Sequence, residues 1–370
     1  MVNSQNQKGN GNIFNYLSSF IRKSLFYGAL ALLCGCTSGN SLEDVLTDYQ
    51  QRISRITEIE HPNAFKSELL QYPRHRDLFI PIDEVRISLL DFFSLDDCDL
   101  QILVAERNNA MGKVMSSPQI LVYEHQFLVK LRTCLEKMSM ESGGSKDWQA
   151  QLAKVDSIKS ENMSSVIWNA TFASRAFDKL FSLSAQLPEV NALPSGNIEI
   201  NENIIYLVNV AKSIGNPELE LNQSKMAKIY TLFESFAYGG ALLNAMEMLT
   251  FHLNTVAEIL EMRLAKSPLC VDGKPGETAI RLQTVFDKFY RGNVQKYLAF
   301  THKNARELLT AINKLAEIQD EVIPEVFRNY QEKHIDMASE HAVWQKFDRA
   351  IKRHTAAWQA VFDQCGMMPN

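Results

Sequence analysis

The sequence predicts an all-α fold, a multi-helix bundle, for this 370-residue chain. Three features carry that expectation. Apolar residues recur at spacings of three and four over most of residues 42–370. Several long stretches, such as 240–266, hold no proline. Short polar, Gly- or Pro-bearing segments separate them, which is how helices with short connections are punctuated.

Ser41 with Asp44 forms a capping-box-like start, and Leu42, Val45, Leu46, Tyr49, Ile53 and Ile56 continue at helical spacing to about residue 58. His61-Pro62 ends that helix. Pro81 suits the first turn of a helix containing Val85, Leu89, Leu90 and Phe93, and Asp96-Asp97 opens the next. Ser116-Ser117-Pro118 is a turn leading into a helix striped by Ile120, Tyr123, Phe127, Leu131 and Cys134. Ser142-Gly143-Gly144-Ser145 is a loop before a long helical stretch that reaches Trp168 and Phe172. The clearest linker runs from Leu187-Pro188 to Pro194-Ser195-Gly196-Asn197. Ile198-Glu199-Ile200 alternates and is the single hint of a strand. Helices are expected again at about 204–214, 223–236, 240–266, 277–289, 294–318 and 339–364. Residues 268–276 read as a loop. Two sub-bundles, 42–187 and 204–370, fit the linker.

Residues 1–35 differ from the rest. A polar, basic stretch ends at Arg22-Lys23, and an apolar run, 25–33, follows. The run is short of the roughly 20 residues a spanning helix needs. It closes on Leu33-Cys34-Gly35-Cys36, which resembles the bacterial lipoprotein box. Residues 1–35 are therefore expected to be a cleaved signal peptide, and Cys36 to become an acylated, palmitate-bearing N-terminus. Residues 36–41 would be a lipidated tether, and two or more acyl chains make such anchoring stable. Thr37 in place of an Asp points to the outer membrane, with the body facing the periplasm.

The net charge is -5, and since residues 1–35 carry only Lys8, Arg22 and Lys23, residues 36–370 carry -8. A mildly acidic body argues against nucleic-acid binding. Cys98, Cys134, Cys270 and Cys365 remain after processing, and four cysteines allow three pairings. Cys98–Cys134 and Cys270–Cys365 are favoured. Cys98 and Cys134 each lie 18 residues from Ser116, about 27 Å along a helix, so a hairpin turning there would bring them together.

Landmarks along the mature chain resemble one family: Tyr72-Pro73-Arg74, Val104-Ala105-Glu106-Arg107-Asn108, Ile167-Trp168-Asn169-Ala170-Thr171-Phe172, Phe289-Tyr290 with Gly292, and Arg353-His354-Thr355 with Trp358 and Cys365-Gly366. Together they resemble a proteobacterial lipoprotein family known as domain of unknown function 3080. The resemblance implies a lipoprotein, and neither an activity nor a cofactor.

No HExxH, GxSxG, Walker, dinucleotide or CxxCH motif is present, and no cofactor or metal site is expected. Glu332, His334, Asp336, Glu340 and His341 cluster, with His334 and His341 seven apart on one helical face, which reads first as a solvated charged face and, less simply, as a metal site. The polar residues that stand out are Glu106, Arg107, Asn108, Asn169, Arg353 and His354. Glu106 with Arg107 reads as an ion pair joining helices or, less simply, as a general acid for glycan cleavage. Asn169 is expected to satisfy a backbone group. Arg353 and His354 read as an anion site or as the polar edge of the last helix. The expected role is a lipid-anchored envelope accessory that binds an envelope protein, peptidoglycan or a small ligand. The alternative is an envelope glycan-cleaving hydrolase or lyase using Glu106.

Overall fold

Ser41 stands in extended conformation and its hydroxyl accepts from the Asp44 amide, which starts helix α1, Leu42–Thr57. Glu58 closes α1 in the left-handed region, and an extended strap, residues 64–74, follows. The computed structural model describes residues 41–61, 64–83, 85, 98–140, 146–189, 192, 198–271 and 273–367. The expected signal peptide, Cys36, most of the expected tether, the greater part of the helix expected after Pro81, and the expected 142–145 loop lie outside those residues.

The further helices are α2 (His75–Leu78), α3 (Gln101–Asn108), α4 (Ser117–Met140), α5 (Lys146–Ala170), α6 (Arg175–Leu180), α7 (Ile198–Ser213), α8 (Gln223–Ser235) and α9 (Tyr238–Lys266). After a two-stranded antiparallel ribbon, β1 (Cys270–Val271) with β2 (Lys274–Pro275), come α10 (Glu277–Val285), α11 (Gln295–Glu317), α12 (Glu325–Tyr330) and α13 (Val343–Cys365). The all-α expectation holds. Its one strand hint does not: Ile198-Glu199-Ile200 is the first turn of α7, because Ile200, Ile204, Leu207 and Val208 continue a buried stripe at helical spacing. The small ribbon instead sits in the expected 268–276 loop, closed by Gly273 at φ 68°.

Helix α9 is the axis of the main core, packed against α13, α1 and α11. Its first turn runs close to the chain at Phe181-Ser182: a Cβ on Gly240 would lie 1.9 Å from the Ser182 carbonyl oxygen. Helices α4 and α5 form an antiparallel pair. They are stitched by the buried Lys159–Glu124 ion pair at 2.6 Å and by Arg132–Asp156 at 2.9 Å. A satellite core under α3 and α4 gathers Leu100, Leu103, Tyr123, Phe127, Leu131 and Leu152 around the Cys98–Cys134 disulfide. The second disulfide, Cys270–Cys365, fastens β1 to the end of α13.

Residues 41–370 make one compact unit, and α7 to α13 share the main core with α1, α5 and α6 across the 188–203 segment. What stands apart is the disulfide-bearing patch within 98–152, not the two halves of the chain. The break expected between residues 289 and 294 is absent. Phe286–Val294 is a π-helical segment that carries α10 into α11 without interruption, Gly292 included. A second π-helical turn, Gln331–Ile335, follows α12.

Candidate functional site

Glu247 on α9 gathers the strap. It accepts from the Ser67 hydroxyl at 2.5 Å and from the Glu68 amide at 2.7 Å. The Leu69 amide turns back to the Ser67 hydroxyl at 3.3 Å, and the Leu70 amide donates to His334 Nε2 at 2.9 Å. Tyr72 finishes the attachment by donating to the Phe172 carbonyl at 2.7 Å. A segment with no helical period is thereby fixed against the body it crosses, through the Glu68 and Leu70 amides and the Ser67 and Tyr72 hydroxyls.

Between this strap, α9, the second π-helical turn and the start of α13 lies a cleft of about 520 Å³. Its apolar wall comes from Phe65, Leu69, Leu70, Phe251 and Val343. Phe65 meets Phe251 with ring centroids 5.6 Å apart, so the strap's aromatic is seated on α9. Lys66, Lys333, Lys346 and His341 are exposed at its edge. Among the described residues, none of the three lysines stands in an ion pair.

His334 closes the inner end. Its ring stacks on Tyr330, 4.6 Å between centroids and 6° between planes. Accepting from Leu70 at Nε2 fixes the proton on Nδ1, which faces the Tyr330 carbonyl at 3.3 Å. Burial lowers its pKa to about 4, the Tyr330 hydrogen bond opposes the shift, and the charges of Lys333 and Lys346 add to it. The residue is a neutral strut and not a free acid or base. π-Helical turns are frequent at functional sites, and this one sets Lys333 outward and His334 inward.

The structure does not bring the six sequence-singled polar residues together. Glu106 and Asn108 are exposed on α3. Arg107 does not join helices; it donates to the Gly112 carbonyl and caps the turn after its own helix. Asn169 is buried and spans the Ile80 peptide group, accepting from its amide at 2.9 Å and donating to its carbonyl at 2.7 Å. Arg353 forms a two-point ion pair with Glu261, with distances of 3.1 and 2.7 Å. His354, expected at a polar edge, is buried in the core. It pairs with the Tyr49 hydroxyl at 3.0 Å, and the Trp358 indole donates to both. Burial lowers its pKa to about 3.

The 332–341 cluster is no single helical face either: residues 336–342 leave the helix, so His334 is buried while His341 is exposed. Among the described residues no group of three or more His, Cys, Asp or Glu is placed to hold a metal ion. The cleft itself escaped the sequence reading. Its wall comes from an aperiodic strap, and its cations stand at positions 66, 333 and 346, a distance along the chain that no local motif spans.

The molecule is thus a disulfide-stapled helical domain with a cationic, apolar-walled cleft. Residues 46–369 match the family described as Protein of unknown function (DUF3080), and the chain belongs to that family. Neither the curated proteins nor the solved structures contain a match. No described helix is long and apolar enough to cross a membrane.

Proposed function

We propose that this chain is a lipid-anchored binding module of the bacterial envelope, held at the periplasmic side of the outer membrane by acyl chains on Cys36, and not an enzyme. The observation that carries the binding role is the cleft: three unpaired lysines over an apolar wall, with its one buried histidine committed to two structural contacts. That is an inventory for holding a ligand, and its one hydroxyl–carboxylate contact, Ser67 on Glu247, is spent in fastening the strap together with the Glu68 amide. The two disulfides suit an oxidising compartment such as the periplasm. The glycan-cleaving alternative gains no support from Glu106, because a general acid needs a shielded carboxyl and Glu106 is exposed on α3.

Two measurements test this reading. Palmitate labelling should be lost in Cys36→Ser, which should accumulate as unprocessed precursor; normal labelling would refute the anchor. Purified protein should give no soluble products from peptidoglycan. Products that vanish in Glu106→Gln, with thermal stability kept, would replace the binding module by the enzyme.

A further inference from the structure

We infer that the cleft takes a single-chain anionic amphiphile, an alkyl or aryl-alkyl body ending in a carboxylate or phosphate. The inference deepens the binding-module reading and rests on it. The cations converge from three separate elements: Lys66 from the strap, Lys333 from the π-helical turn and Lys346 from α13. Like charges gathered on one rim repel unless an anion answers them. The protein supplies little answer. Glu247 already holds the Ser67 hydroxyl and the Glu68 amide, which leaves Glu68 as the one uncommitted carboxylate of the cleft against three lysines. One turn further along α13 the pattern is different, since Lys352 is paired with Asp348 at 2.5 Å. The rim lysines are therefore unpaired where Lys352 on the same helix is paired, and an anionic head satisfies them.

The body of the ligand follows from what the strap withholds. The amides of Glu68, Leu69 and Leu70 are all bonded within the protein. The strap consequently offers the side chains of Phe65, Leu69 and Leu70 while those three amides are not free to read a sugar, a base or a peptide backbone. Phe251 and Val343 extend the same surface. A volume of about 520 Å³ is that of a small-molecule site. Lysines from three elements beside the apolar surface of Phe65, Leu69, Leu70, Phe251 and Val343 describe an amphiphile, with its chain on Phe65 and Phe251 and its head among the lysines.

The test uses residues 37–370, which hold the compact unit whole, so that neither an attached acyl group nor the apolar 25–33 run competes, and a dansylated undecanoic acid as fluorescent probe. The probe should bind and should be displaced by decanoate or by dodecyl phosphate, below their micellar concentrations. The better competitor tells a fatty-acid-like head from a lipid-phosphate head. Dodecanol and inorganic phosphate should not compete. Lys333→Gln with Lys346→Gln should weaken the probe by about tenfold, with an unchanged melting curve because both side chains are exposed. Lys333→Arg with Lys346→Arg should restore binding, and added salt should weaken it. Equal competition by dodecanol, full competition by inorganic phosphate, no probe binding, or indifference to the glutamine pair would each overturn the assignment. Those outcomes leave the broader binding role standing. Peptidoglycan turnover, which would end that role, is read in a separate assay.

Discussion

Replacing Cys270 and Cys365 together by alanine removes the larger of two covalent closures. The bridge joins residues 95 apart in sequence, against 36 for Cys98–Cys134. In the chain-entropy treatment, opening the larger loop lowers stability by about 4.7 kcal/mol and opening the smaller by about 3.8 kcal/mol. The native geometry should survive the larger deletion, because the Leu269 amide still donates to Gln364 at 2.7 Å beside the lost bridge. Together the two losses approach the whole stability of an ordinary domain. Urea unfolding of both double variants at pH 7, followed by circular dichroism, measures this. The Cys270/Cys365 variant should lose more, and its denaturant slope should steepen because its unfolded chain is no longer pinched. A greater loss from the Cys98/Cys134 variant, or a reductant-treated wild type that melts as the oxidised protein does, would refute the argument.

Acidification should weaken the fold between about pH 6.5 and pH 4. His252 and His334 are lowered to about 4 and His354 to about 3, each chiefly by burial. Above pH 6.5 both states are neutral and nothing changes. Below it the unfolded chain takes up protons that the folded chain refuses, so by pH 5 each histidine costs about 2 kcal/mol. Unfolding curves at pH 7 and 5 check this, and equal or greater stability at pH 5 would contradict it. Lys159→Met strands the Glu124 carboxylate, one of whose oxygens has no partner already. The cost should be about 3 kcal/mol, and a variant whose thermal melting matches the wild type would count against a stabilising role for the pair.

Much of the fold is legible in the sequence because helices declare themselves locally. Ser41 with Asp44 marks a cap that the structure keeps, and the spacing about Ser116 anticipates a disulfide although α3 ends at Asn108 and a short 3-10 turn intervenes. The errors arise where tertiary packing overrides local pattern. Ile198-Glu199-Ile200 alternates, yet Ile204 and Leu207 further along draw it into a helix. Residues 290–293 read as a gap between two helices, but a wider π-helical segment carries the chain through them. His354 looks polar beside Arg353, and its burial depends on Tyr49, which lies 305 residues earlier. The cleft is the least legible part, since the strap that walls it is defined by what it lies against.

The Tyr49–His354–Trp358 network also constrains the order in which the chain can complete itself. Among the described helices α1 leaves the ribosome first and α13 last, yet the described hydrogen-bond partners of the Tyr49 hydroxyl, His354 and Trp358, both lie on α13. Helix α1 packs its apolar stripe of Leu42, Leu46, Tyr49 and Ile53 against α9, α10 and the first π-helical segment, so what waits for α13 is the polar closure of Tyr49. Contacts of such sequence separation close slowly. The last helix therefore completes the hydrogen bonding of the first, and a chain cut short before α13 leaves the Tyr49 hydroxyl without the partners it has in the finished fold.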